Sequence, residues 1–276
     1  MAKKKRPLPE DMALPPGGAD SHAHLDLENS GEIKDNLDLA RRCGVSWIGQ
    51  VFLGPHAYSR NSSKFEGEKD VFFILGIHPH DAGKAAPEDI SLIAEYISGE
   101  KRIRALGEIG LDYHYMFSPK QTQQDIFSRQ LDLAAEMDIP VVIHSREAEE
   151  DTLRLLDKAG FRGKKLLWHC FGQGPDLAGE ILQRGWWISI PGTVTYRKNF
   201  PMQEAVSNSI PLDHMLLETD APFLSPEPYR GKTNRPALVV FTARKIAELK
   251  GMDPEEVWEK TGQNCREFFG LDTGRI

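Results

Sequence analysis

Two histidines one residue apart, His22 and His24, are followed along the chain by Glu108, His144, His169 and Asp220. Imidazole nitrogens and carboxylate oxygens are the donors that hold Zn, Mn, Fe or Co. Taken singly, none of these residues decides anything. An isolated His-x-His is more often surface or core than a metal site. A lone His at the end of an apolar run, such as His144 or His169, has the same bland reading. Glu108 alone fits a salt bridge, and Asp220 alone fits a loop cap before Ala221 and Pro222. What separates the readings is where the six residues fall relative to the elements that carry them.

Apolar runs rich in β-branched and aromatic residues sit near 19–25, 45–53, 71–77, 103–109, 140–145, 165–171, 186–190 and 214–220. Helical patterns lie near 32–43, 88–98, 119–138, 147–159, 175–184 and 200–209. Ser118, Pro119 and Gln121 read as N-cap, N1 and N3 of a capping box, with Phe127, Leu131 and Ala134 following at helical spacing. No convincing helix is read over 54–70. After the last strand come a Pro-rich loop, a helix near 236–250, a second opened by Asp253, Pro254 and Glu256, and a short one ending before Gly270. Strands alternating with helices imply βαβ units and a parallel sheet. Eight such units predict an α/β fold of the (β/α)8 TIM-barrel type, in one domain over 19–276 behind a tail of residues 1–18. The open doubly wound alternative lacks a Gly-rich phosphate loop.

On this reading His22 and His24 end the first strand, Glu108 the fourth, His144 the fifth, His169 the sixth and Asp220 the eighth. Strand ends of a parallel barrel converge on one face, where active sites lie. Side chains two apart on a strand share a face, so His22 and His24 point together. Four imidazoles and two carboxylates exceed the needs of one tetrahedral ion with an open position. They suit two ions bridged by a carboxylate.

Composition bounds the rest. The 276 residues include 40% hydrophobic and 27% charged side chains, enough apolar surface for a core. Lys and Arg number 34 against 41 Asp and Glu, a net charge of −7 that speaks against coating nucleic acid by charge alone. Cys43, Cys170 and Cys265 lack any paired spacing, so a reducing, cytoplasmic location is the expectation. No run long and apolar enough to span a membrane is present in the sequence. The start carries Lys3, Lys4, Lys5 and Arg6 without an apolar stretch, and reads as a solvated, flexible tail or a basic targeting or nucleic-acid-binding tail; Met12 is an alternative start.

Together the motifs are recognisable. DSHAHLD (20–26), GIHPH (76–80), GEIGLDY (107–113), IHSRE (143–147), HCFG (169–172), GTVTY (192–196), the stretch 210–231 and NCREFFG (264–270) resemble the TatD family of metal-dependent hydrolases, in family order. The resemblance implies a dinuclear site at the barrel mouth. By position His22, His24 and Asp220 hold one ion, His144 and His169 the other, and Glu108 bridges. It implies a divalent-metal-dependent phosphodiesterase, an exonuclease-like deoxyribonuclease acting through metal-bound hydroxide on DNA ends or short single strands. Asp220 is the candidate general base. The alternative is a barrel hydrolase of the amidohydrolase type, acting on an amide, lactone or other small-molecule bond. Zn, Mn, Mg, Fe and Co are not distinguished by these ligands.

His78 ends the third strand and is expected to face the site and meet phosphate, as in the family. Arg146, Arg230 and Asn234 are placed on loops above the mouth, for phosphate or for loop salt bridges. Asp20 and Glu218 share strand parity with the ligands and either orient imidazoles or form a buried polar pair. His80 fits loop structure; His56, His114 and His214 fit surface or structural roles; Trp186, Trp187 and Tyr196 fit the wall. Three stretches depart from the family: the extra tail before Asp20, the irregular SRNSSKFEGE segment, and GKTNRPA, with Arg235 where Glu is usual.

Overall fold

The computed structural model describes residues 6–271. All eight expected strands are present: β1 Gly18–Ala23, β2 Val45–Leu53, β3 Val71–Gly76, β4 Ile103–Asp112, β5 Val141–Arg146, β6 Leu166–Trp168, β7 Trp187–Ile190 and β8 Met215–Leu217. They lie in one sheet in chain order, and a parallel bridge from Ala23 to Ala221 joins the end of β1 to the chain beyond β8. This is the (β/α)8 barrel. Strands such as β3 read as continuous apolar runs because every residue of Val71–Gly76 is buried.

Nine α-helices are described: α1 Ile33–Arg42, α2 Pro55–Asn61, α3 Asp89–Gly99, α4 Lys120–Met137, α5 Glu149–Lys158, α6 Pro175–Leu182, α7 Phe200–Asn208, α8 Val239–Lys250 and α9 Pro254–Phe269. Three differ from expectation. The segment 54–70 does hold a helix, α2, followed by a 3-10 turn at Ser62–Phe65. Too short to show periodicity, it is anchored by Phe65 and Tyr58, which pack edge-on against Phe52 and Phe73. The two C-terminal helices are one, α9, unbroken to Phe269. The capping box is absent: Pro119 is the N-cap of α4, and no side chain caps it. Ser118 instead donates its hydroxyl to the His80 carbonyl (3.0 Å) and accepts the Gly83 amide (2.8 Å).

The chain divides into two compact units that interleave in sequence. The first comprises Met1–Gly49, Cys170–Glu180 and Ile188–Glu267; the second comprises Gln50–His169, Ile181–Trp187 and Phe268–Ile276. In the first, the expected flexible tail is corrected from Arg6 onward. The Trp258 indole donates to the Pro15 carbonyl (2.8 Å), Arg244 to the Met12 carbonyl (3.1 Å) and Tyr229 to the Pro7 carbonyl (2.9 Å). Leu14 is buried. Apolar Leu14 and the carbonyls of this proline-rich stretch find partners that composition could not reveal. Lys3, Lys4 and Lys5 lie outside the described residues.

In the second unit α4 clamps two strand ends with buried amides one heptad apart. Gln130 accepts the Ile77 amide (2.7 Å) and donates to the Ile77 carbonyl (3.0 Å). Gln123 does the same for Asp112, at 2.8 and 2.9 Å. Each clamp fixes the backbone at or beside a polar residue of the site, His78 in one case and Asp112 in the other.

Candidate metal centre

The first unit brings His22, His24 and Asp220 together. His22 projects from the end of β1 and His24 from just past it, and both are buried. Their Nε2 atoms face one another at 3.3 Å. Asp220 Oδ1 lies 3.4 Å from His24 Nε2 and 3.9 Å from His22 Nε2. Backbone bonds fix this spacing: the Asp220 amide donates to the His22 carbonyl (2.9 Å), and the His24 amide to the Ala221 carbonyl (2.7 Å). Asp220 adopts φ 55°, a left-handed conformation that Asp tolerates better than most residues.

Two nitrogens held at about 2.0–2.1 Å from one tetrahedral ion stand roughly 3.3 Å apart. That is the separation seen here. The donor set thus fits a divalent cation with both imidazole lone pairs and one carboxylate oxygen. Asp20 braces the cluster from below, accepting the Thr219 amide (2.8 Å) and hydroxyl (2.6 Å). Burial pushes its carboxyl up to about 8, against those hydrogen bonds. Glu218 accepts the Cys170 amide (2.7 Å) and the Ser189 hydroxyl (2.6 Å).

The second unit brings Glu108, His144, His169 and His78 together. Glu108 Oε1 is 2.6 Å from His144 Nδ1, 3.1 Å from His169 Nε2 and 3.5 Å from His78 Nε2. His78, Glu108 and His144 each offer a ligand-type atom within 4.8 Å of the others, and His169 Nε2 faces the same Glu108 oxygen. Burial raises the Glu108 carboxyl, but the three imidazoles outweigh it and hold it well below the usual range. Burial pushes His78 down to about 4, so its ring is neutral at neutral pH. His78 Nδ1 accepts the His80 amide (3.2 Å), which places the proton of the neutral ring on Nε2.

Sequence reasoning missed Asp112. It is fully buried, and its Oδ2 lies 3.1 Å from His144 Nε2 and 2.9 Å from His80 Nε2. Burial works to raise this carboxyl, yet hydrogen bonds from His144, the Tyr115 amide and His80 hold it well below the usual range. His144 is raised in turn: its burial is outweighed by Asp112 and Glu108. The signal was in the strand period, since 108 and 112 share a face. The expected strand end at 109 hid it; β4 runs to Asp112.

A sequence model of the family described as TatD related DNase matches residues 19–270. The chain belongs to the TatD family. A Bacillus subtilis relative, the uncharacterized metal-dependent hydrolase YabD, is 35% identical, with 92% of this chain and 99% of that protein covered. A Citrobacter rodentium relative named 3'-5' ssDNA/RNA exonuclease TatD is 30% identical over 90% of this chain and 96% of its own. The structure of the Escherichia coli TatD homologue YJJV superposes with a TM-score of 0.85 at 26% identity, covering 92% of this chain and 98% of that one. This chain is accordingly a metal-dependent hydrolase of the TatD family, and no helix among its described residues is long and apolar enough to cross a membrane.

The expected substrate residues fare differently. Asn234 is corrected: it is buried, with its amide nitrogen on the Thr219 (2.8 Å) and Phe223 (2.6 Å) carbonyls and its oxygen on the Arg235 amide (2.9 Å). It braces the loop that follows Asp220. Arg146 ends β5 and lies over the Tyr115 ring at 4.7 Å, and Arg230 lies over Tyr196 at 4.3 Å. His80 is more than loop structure, since it holds Asp112. His114 pairs with Glu147 at 2.6 Å, and His56 with Asp89 at 3.3 Å.

Proposed function

We propose that this protein hydrolyses phosphodiester bonds of single-stranded nucleic acid from an end, using two divalent ions. His22, His24 and Asp220 would hold one; Glu108, His144 and His169 would hold the other. One observation carries the reading: two imidazole nitrogens at 3.3 Å share one carboxylate oxygen, on a side chain that is still 15% exposed. The donors are thus set for a cation while the carboxylate stays reachable. The exonuclease name of the Citrobacter relative supports the choice of substrate.

Divalent ions held there would acidify water and offset negative charge at the attacked phosphorus. Asp220 accepts the proton of the attacking water through its exposed carboxylate edge. Buried His78 directs Nε2–H toward Glu108 Oε1 (3.5 Å) and shares it with an incoming phosphate oxygen. Arg146 and Arg230 add cationic charge for the phosphate backbone. Asp112 positions His144 through its second ring nitrogen, as carboxylates beside metal-bound imidazoles do.

A substrate panel tests this. Purified protein given Mn²⁺ or Mg²⁺ should shorten end-labelled single-stranded DNA, and EDTA should stop it. Intact DNA alongside cleavage of small amides or lactones would move the protein to amidohydrolase chemistry instead.

A further inference from the structure

The loop between β4 and α4 exposes apolar surface of the kind that a folded chain ordinarily buries. Phe117 is 68% exposed, Tyr115 49% and Met116 40%. Three consecutive residues thus supply half of the six strongly exposed large hydrophobic side chains among the described residues. They are ordered, not splayed. The Tyr115 and Phe117 rings are stacked, 5.4 Å between centroids and 2° from parallel. Met116 between them takes φ 52°. The Arg146 guanidinium lies 4.7 Å from the Tyr115 ring centroid.

The stack is tied to the second cluster. Asp112 Oδ1 accepts the amides of His114 (3.0 Å) and Tyr115 (2.8 Å), which fixes the loop on the end of β4. The His80 ring stands edge-on to Phe117 (4.8 Å) and to Tyr115 (5.4 Å). The same His80 reaches Asp112 Oδ2 at 2.9 Å, and His144 reaches it at 3.1 Å. A flat aromatic face, a cation beside it and a rigid connection to the candidate ligands are the parts of a stacking platform for single-stranded nucleic acid.

We propose that Phe117, backed by Tyr115, stacks against a nucleobase of the substrate, with Arg146 toward the neighbouring phosphate. The inference rests on the nucleic-acid reading above and adds a base-recognising subsite to it. An unpaired base offers a π-face of any identity, so the subsite is sequence-tolerant. It also favours single strands, because duplex bases are already stacked.

The test compares the metal-loaded wild type with Phe117→Ala and Tyr115→Ala/Phe117→Ala. Affinity is read by fluorescence anisotropy with a cleavage-resistant phosphorothioate oligonucleotide, and KM by cleavage of ordinary single-stranded DNA and of an abasic oligonucleotide of equal length. Both variants should fold, since Phe117 and Tyr115 are exposed; circular dichroism checks this. Loss of one stacked base should weaken DNA binding about tenfold and raise KM in proportion. Cleavage of the abasic strand should be unchanged, and Phe117→Trp should restore affinity. Unchanged affinity in both alanine variants, or an equal loss on the abasic strand, overturns the platform while leaving the nuclease reading intact. A wild type that neither binds nor cuts single-stranded DNA overturns both.

Discussion

Asp220 combines contact with both imidazole nitrogens and partial exposure, and its proposed work is to take a proton. Asp220→Asn keeps the shape and removes the basicity. Its kcat on single-stranded DNA should fall about 10²- to 10⁴-fold, with the circular dichroism spectrum unchanged. Asp112 makes a different prediction. Its folded-state carboxyl is held below the usual range by His144, the Tyr115 amide and His80 despite burial. A depressed carboxyl contributes stability that is present above the unfolded value of about 3.9 and is lost as pH falls below it. Metal-free wild type should therefore lose stability from about pH 4 downward, and Asp112→Asn should flatten that loss in urea unfolding at pH 3–5. An unchanged slope would deny the His144–Asp112 contact its weight. The six ligand candidates were legible because each ends an apolar run. The two readings of Asn234, substrate contact and loop structure, stay level in the sequence because an Asn amide looks the same there whether it meets substrate or backbone. Only the fold reveals that its partners are the Thr219 and Phe223 carbonyls.

At the scale of elements, the eight strands were legible because buried parallel strands are unbroken apolar runs, and only their lengths were not. The last three residues of β4, beyond Ile109, were hidden by Gly110, which breaks the apolar pattern. It takes φ 143°, and an added Cβ would run into the His144 carbonyl oxygen. Gly110→Ala should thus push β4 from β5 and weaken metal affinity and stability together, by about 2 kcal/mol or more in unfolding. The Gln clamps of α4 were invisible too, because a buried Gln reads as a surface residue until its partners are known. Gln130→Leu leaves the Ile77 amide and carbonyl without this partner in the interior, at a cost of about 1–3 kcal/mol by urea unfolding. A neutral substitution would mean that His78 is positioned by something else. Helix α2 escaped notice for the reason short helices do: its anchors, Phe65 and Tyr58, gain meaning only against Phe52 and Phe73.

For the whole molecule, the segment before β1 belongs to the packed structure of the first unit. Leu14→Ala should cost about 2–3 kcal/mol, where a solvated tail would give no change in melting temperature. Under the proposed function, the net charge of −7 would leave the attraction of an anionic strand to local features: cations at the two donor sets, Arg146 and Arg230. The central claim is that two separate donor sets each hold an ion. Its most direct measurement is the metal content per chain after saturation with Mn²⁺ or Zn²⁺ and removal of excess, read by plasma mass spectrometry. The wild type should retain about two ions, and His22→Ala/His24→Ala and His144→Ala/His169→Ala about one each. One ion in the wild type, lost by both variants alike, would contradict the account.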